Sequence, residues 1–360
     1  MSSRDSSSRL ASSRLPRAAQ PEPLLLRAIR HEPVERVPVW LMRQAGRCDP
    51  AYLAYRDRAG LSLHELFRSP EHAVALSLLP RRFGVDAIIM YQDILTPLEP
   101  MGADFVFSPG PVLADPIRDR AGVARLSPFD PSARLGFIGV EIRALQRELD
   151  GALPLIGFAG APFTLAAFLI EGVSPGAMAR TLSFATERPE AFGELMERLT
   201  RMTVEYLNYQ AECGVDVVQL FESMGDGVPR PLYERFVQPS HERIFGALKA
   251  GLPAILFVKG SPFPELMLES GAAVLSVGKD TPLKELLARG AGRVAVQGNV
   301  DNQVLAKGTP EQVAAAVTAC IAESGGRGHI LNLNHGILPE TPFPNVLAFI
   351  QAARTAKLKV

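Results

Sequence analysis

From about residue 25 onward, short apolar runs alternate with longer segments whose apolar residues recur every three or four positions. The short runs are Val37–Leu41, Val85–Tyr91, Leu155–Ala159, Val215–Phe221, Ala254–Val258, Ala273–Val277, Arg293–Gln297 and His329–Leu333. Several are apolar almost without a break, as in Ala254-Ile255-Leu256-Phe257-Val258. A strand with one wet face alternates apolar and polar residues. A strand covered on both faces has no need to, so these runs predict a parallel sheet clad in helices.

The segments between the runs carry helix signals. Pro189-Glu190-Ala191-Phe192 opens with proline and an early acid, and apolar positions continue through Leu195, Leu199, Met202, Val204 and Leu207. Proline tolerates the first helical turn because its missing N–H would have no partner there. Thr309-Pro310 predicts an N-cap followed by such a proline, and Thr281-Pro282 predicts a second start of the same kind. Gly251, Gly271 and Gly292 stand past helix ends, where a left-handed residue is wanted.

Eight strands, each followed by helical sequence, predict a (β/α)₈ barrel. The 360 residues exceed the ~250 of an ordinary barrel, so long loops or inserts are expected. One predicted insert is a hairpin in which Phe105-Val106-Phe107 and Val112-Leu113 flank the turn-rich Ser108-Pro109-Gly110-Pro111. A doubly wound open sheet is the other fold that fits the alternation. It has no Gly-x-Gly-x-x-Gly after the first strand to support it, and no Gly-Lys-Ser loop to support a nucleotide.

In a barrel, function collects at the C-terminal ends of the strands. Those ends carry Arg43 and Arg47, then Asp93, then Gly157 to Thr164, then Phe221-Glu222-Ser223-Met224-Gly225. Lys259-Gly260, Gln297-Gly298-Asn299 and Asn332-Leu333-Asn334-His335-Gly336 follow. Each has a plain structural reading. Asp93 can cap a helix, Ser223 can be a loop hydroxyl, and two arginines four apart can make salt bridges at a strand end. Their coincidence on one face points to a site instead. Such a site offers cations (Arg43, Arg47, with Lys259 as a further candidate), one carboxylate (Asp93), one histidine (His335) and apolar walls (Phe163, Phe168, Phe221, Met224). That set suits a sizeable, partly apolar ligand carrying several carboxylates and an N–H-rich centre facing Asp93.

Composition narrows the classes. Lys plus Arg and Asp plus Glu are both 38, so the formal charge is zero, which disfavours nucleic acid as a partner. At 47% hydrophobic the chain can bury a large core, yet no run of ~18 apolar residues exists to span a membrane. Cys48, Cys213 and Cys320 are scattered, with no CxxC or HxC pair. Neither a disulfide framework nor a structural zinc is expected, no metal or cofactor is called for, and a reducing cytoplasm fits. Residues 1–20 are rich in Ser and Arg with Asp5 as the single acid, and have no apolar core. They read as a disordered leader, a composition also compatible with an organellar transit peptide. The barrel domain is expected from 21 to 360.

These motifs, taken in order, resemble the uroporphyrinogen decarboxylase family. Arg43-Gln44-Ala45-Gly46-Arg47 is similar to its N-terminal signature. The similarity continues in Asp93-Ile94-Leu95, in Gly157 through Leu165, and in Glu171-Gly172. It runs on through Gln219-Leu220-Phe221-Glu222-Ser223, Val296-Gln297-Gly298-Asn299 and Asn332 through Pro339. The resemblance implies a cofactor-independent homodimeric barrel that converts the four acetates of uroporphyrinogen III to methyls, giving coproporphyrinogen III for haem and chlorophyll synthesis. It implies that Arg43, Arg47 and His335 bind substrate carboxylates and that Asp93 receives the pyrrole N–H groups. Gln44, Ala45, Gly46, Phe168, Phe221 and Ser223 complete the expected binding set. With Asp93, Arg43 and Arg47 are expected to act in catalysis.

The chain departs from that pattern in places. Phe168 stands where a tyrosine hydroxyl usually supports the aspartate, a loss that Tyr91 or a water could offset. Cys48-Asp49-Pro50 replaces Tyr-Leu-Pro, Asn334 replaces a glycine, and Gly278-Lys279-Asp280 replaces an Asp-Trp pair. Two rival readings follow. One is a zinc- and corrinoid-dependent methyltransferase on the same barrel, which this chain's lack of an HxC pair disfavours. The other is a porphyrinogen-binding paralogue without catalysis, suggested by Phe168.

Overall fold

The computed structural model describes residues 22–107 and 110–358. The leader and two residues of the predicted hairpin turn, Ser108 and Pro109, lie outside the described residues.

Seven parallel strands form one sheet. They are β1 (Ile88–Ile89), β4 (Leu155–Gly160), β5 (Val217–Glu222), β6 (Ala254–Val258), β7 (Val274–Ser276), β8 (Ala295–Val300) and β9 (His329–Leu333), side by side in that order. The predicted first strand closes the ring without becoming a full strand. Leu331 N–H donates to Pro38 O (2.9 Å) and Trp40 N–H to Leu331 O (3.3 Å) on the β9 side. Asp86 N–H donates to Val39 O (2.7 Å) on the β1 side. The segment stays at a single bridge, Val39 with Leu331, for a local reason. Pro38 has no N–H to give, and the Val39 N–H is taken by the Asp86 side chain (2.8 Å), itself held by a two-pronged Arg36 bond (2.6 and 2.7 Å).

The barrel interior is closed by a polar layer. Gln219 on β5 and Gln297 on β8 have two strands between them in the sheet, yet Gln297 Nε2 donates to Gln219 Oε1 (3.1 Å), so the bond crosses the interior. Gln297 also bonds Ser276 (3.0 Å) and accepts from the Trp40 indole (2.9 Å). All four side chains are fully buried. Leaving any of these amides unpaired would cost about 1–3 kcal/mol, so the layer holds together only as a set. It also reaches the site, because Gln219 Nε2 donates to Met42 Sδ (3.5 Å), one residue before Arg43.

Helices clad the outside. The longest, Pro189–Cys213, begins at its predicted proline and buries Leu195, Leu199, Met202 and Leu207. Thr309 caps the helix Pro310–Ser324 in a reciprocal capping box with Gln312. Thr281 is different. The helix there starts at Leu283 with Pro282 before it, and the carboxylate of Glu323 on the helix Pro310–Ser324 takes the Leu283 N–H (2.7 Å). A tertiary partner has replaced the local cap. Gly251, Gly271 and Gly292 are all left-handed, as their positions require. The insert is the predicted hairpin, β2 (Phe105–Phe107) antiparallel to β3 (Pro111–Leu113), and it stands beside the mouth of the barrel.

Candidate active site

At the C-terminal ends of the strands lies a cavity of about 370 Å³, continuous with solvent at its mouth. One wall is aromatic by sheet register. Phe221 and Phe257 are direct partners on β5 and β6, with rings 5.7 Å apart, and Phe158 on β4 meets Phe221 edge-on at 5.5 Å. Phe67, Tyr91, Phe107 of the hairpin and Phe168 form the facing wall. Phe168 itself rests edge-on against Phe105 at 6.3 Å.

Asp93 sits between these walls, in the turn after β1. Its Oδ1 accepts the Leu95 N–H (2.7 Å) within a local turn, but the N-cap position of the short helix Thr96–Met101 is Leu95, so Asp93 is not the helix cap that its sequence position allowed. The carboxylate nonetheless faces the cavity. Burial raises its pKa to about 6, with the Leu95 N–H and the Arg43 charge pulling the other way.

Arg43 faces the same cavity on a backbone in the left-handed region (φ 63°), rare for a residue with a Cβ. Three ties hold that conformation. Met42 N–H donates to Asn332 Oδ1 (3.2 Å), Met42 O accepts from Ile337 N–H (3.0 Å), and Gln44 N–H donates to Leu41 O (3.0 Å). The Arg43 stem runs over Gly336, where a Cβ would lie 2.6 Å from Arg43 Cδ. Gly336 is therefore a glycine because of the arginine above it. The guanidinium has no hydrogen-bond or ion-pair partner among the described residues, so its donors are free for a ligand.

His335 completes this side. Its Nδ1 accepts the Gly336 N–H (2.7 Å), which leaves the proton of the neutral ring on Nε2 as a donor. Desolvation, then Arg43 and Lys259, lower its pKa to about 4. His335 is thus a neutral N–H donor at pH 7 in the free protein. Ser223 also lines the cavity.

Several expected residues sit elsewhere. Arg47 and Gly46 do not line this cavity. Arg47 lines a neighbouring hollow on the far side of Phe107, shared with Arg56, His64 and Phe105. Arg47 is exposed and Arg56 half-buried. Gly46 is not the left-handed residue of the signature. It is needed because a Cβ there would approach Arg43 O to 2.8 Å. Gln44 borders the cavity, but its buried amide bonds Leu41 N–H (3.1 Å) and Ala87 O (3.0 Å), joining the first segment to the second strand. Lys259 is paired with Asp226 (3.1 Å). Phe163 is fully buried against Phe192, and Met224 packs against the core, so neither walls the cavity. The Tyr91 hydroxyl is bonded to that of Tyr52 (2.6 Å), and among the described residues it makes no hydrogen bond to Asp93.

Sequence reading missed a group behind Asp93. Gln92 lines the cavity and donates from Nε2 to Phe67 O (2.7 Å) and to Glu141 Oε2 (2.6 Å). Glu141 is completely buried, and desolvation raises its pKa to about 8. A signal was present. Glu141 falls on the apolar stripe Ile138, Ile142, Leu145, Leu149 of its helix, an odd place for an acid.

Comparison with known proteins adds a family to this geometry. The uroporphyrinogen decarboxylase (URO-D) family model matches residues 20–356. A "Uroporphyrinogen decarboxylase" of Sorangium cellulosum is 43% identical over 90% of this chain and 94% of its own length. One of Thermus thermophilus is 44% identical over 90% and 95%, and one of Synechococcus is 38% identical over 92% and 96%. Among solved structures, a methyltransferase from Methanosarcina mazei superposes with a TM-score of 0.77 at 20% identity, covering 93% of this chain and 99% of that one. That likeness shows the barrel and no more. By the extent of these matches and the order of its strand-end motifs, the chain belongs to the uroporphyrinogen decarboxylase family.

Proposed function

We propose that this chain decarboxylates the acetate side chains of uroporphyrinogen III to give coproporphyrinogen III. The observation that carries the reading is the placement of a single carboxylate, Asp93, in an aromatic-walled cavity with a free arginine and a neutral histidine. A porphyrinogen has apolar ring faces, acidic side chains around its rim and pyrrole N–H groups at its centre. The aromatic walls suit the faces, Arg43 and His335 Nε2–H suit rim carboxylates, and Asp93 suits the N–H groups. Arg47 and Arg56, in the hollow beyond Phe107, suit carboxylates that project past the hairpin.

Loss of CO₂ from an acetate requires somewhere for the bonding electrons to go. A pyrrole protonated on its ring carbon is a cation and accepts them. Asp93, already fixed by Leu95 N–H, stabilises that cation without reorganising. Apolar walls exclude water and strengthen the attraction. The chemistry drawn here uses no cofactor. Arg43, charged throughout the accessible pH range, binds and orients and is a poor proton donor.

The reading includes a single barrel domain from residue 21, a cytoplasmic location and a homodimer, the last tested by sedimentation equilibrium. The deciding experiment is anaerobic incubation with uroporphyrinogen III and separation of the products by carboxyl number. Stepwise loss to the four-carboxyl product supports the reading. Binding without CO₂ release would favour the non-catalytic paralogue, for which Phe168 is the motivating observation.

A further inference from the structure

Asp93 faces two spaces. Besides the main cavity, it lines a small side pocket of about 30 Å³, bounded by Thr96, Ala103, His64, Arg68 and Glu99. That is room for one or two waters. The outer wall of the pocket is an ion-pair cluster. Arg68 pairs with Glu99, and its Nε donates to His64 Nε2 (2.8 Å). His64 is exposed, and the Arg68 and Glu99 side chains are half-exposed, so solvent reaches this wall of the pocket. Asp104 adds a second negative charge near Arg68 and His64, and Arg43 faces Asp93 from the main cavity.

The reaction needs such an opening. Each decarboxylation replaces a C–CO₂⁻ bond by a C–H bond, so one proton is taken up for every CO₂ released. A macrocycle seated in the main cavity covers the face of Asp93 that opens there. We propose that the side pocket is the proton entry of the decarboxylation site: water there protonates Asp93, and Asp93 passes the proton to the pyrrole carbon. Asp93 is then the carboxylate that faces the ring cation it has made. CO₂ leaves, and its bonding pair neutralises the ring as an exocyclic methylene. Asp93 reloads from the pocket water and passes this second proton to the methylene carbon, and the ring carbon then returns its own to Asp93, so the balance is one proton in through the pocket and one CO₂ out. Burial holds the Asp93 carboxyl at about 6, near enough to neutrality to load and unload.

The inference rests on the decarboxylase reading, and its test separates the two. Thr96→Leu fills the pocket from a half-buried position at its edge, and Thr96→Val removes the hydroxyl while keeping the space. Glu99→Ala opens the outer wall. For Thr96→Leu, kcat with uroporphyrinogen should fall about tenfold or more, with KM unchanged and the solvent deuterium isotope effect enlarged. Thr96→Val and Glu99→Ala should keep the kcat of the unaltered protein. Thermal melts check each fold, and Ala103→Val gives the same reading from the opposite wall should Thr96→Leu melt early. A filled pocket with unaltered kcat and isotope effect overturns the proposal, as does an equal loss in Thr96→Val. An unaltered protein that releases no CO₂ defeats the decarboxylase reading instead.

Discussion

Replacing Asp93 by asparagine should abolish turnover and stabilise the protein at the same time. The substitution keeps the shape and, through Oδ1, the bond from Leu95 N–H. What it removes is a charge that the fold tolerates at a cost. Burial raises the Asp93 carboxyl from the ordinary 3.8 to about 6. The folded state therefore holds its proton to higher pH than the unfolded state does. The stability associated with that proton is complete below about pH 4 and is lost as pH rises through about 6. Two pH units correspond to ~3 kcal/mol, and partial access from the cavity reduces this to ~1–3 kcal/mol. Asparagine has no such loss. Urea melts should show Asp93→Asn and the unaltered protein equal near pH 4, with the variant more stable by that amount at pH 8. For a chain this long the gain in Tm is about 2–4 °C. CO₂ release should meanwhile fall by about a thousandfold, as expected when a charge aimed at a developing cation is lost. Equal stability at pH 8 would refute the burial argument. Retained turnover would refute the role of the charge.

Arg43→Lys keeps the charge but loses the two-pronged fork, so kcat/KM should drop by about ten- to a hundredfold with little change in Tm; activity near that of the unaltered protein would show that the fork is not used. NMR titration of the free protein should place both His335 and His329 near 4, the first lowered by burial and Arg43, the second by complete burial, which outweighs the opposing bond of its ring to Gly298 O. A value near 6.5 for His335 would mean that burial and Arg43 do not depress it. Because the His329 value lies below that of the unfolded chain, stability should be lost as pH falls from about 6.5 toward 4. Phe168→Tyr adds a hydroxyl to the cavity wall facing Asp93 and should raise kcat several-fold; a lower kcat would show that the phenyl ring is already the better fit.

The barrel was legible because burial on both faces writes itself directly into composition. Ala254–Val258 and His329–Leu333 coincide with their predicted limits. Val37–Leu41 shows where that signal ends, since an apolar run reveals burial but not which side chain will claim its N–H groups. Asp86 sits 47 residues from Val39 and takes one of them. Thr281 fails as a cap for the same reason, its place taken by Glu323 from another helix. At the site, strand-end position identified Arg43, Asp93, Phe168, Phe221, Ser223 and His335 as cavity residues. It could not separate them from Arg47, which is four residues from Arg43 yet across the ring of Phe107. Nor could it show what stands behind Asp93. Spacing along a strand says which face a side chain is on, but what stands behind it is set by helices that arrive from elsewhere in the chain, as the helix carrying Glu141 does here. The barrel itself is shared with a methyltransferase at 20% identity, so the scaffold does not choose the chemistry. The choice lies in a few side chains at its rim and in the spaces that reach them, and for Asp93 there are two such spaces, one wide enough for a macrocycle and one for little more than water.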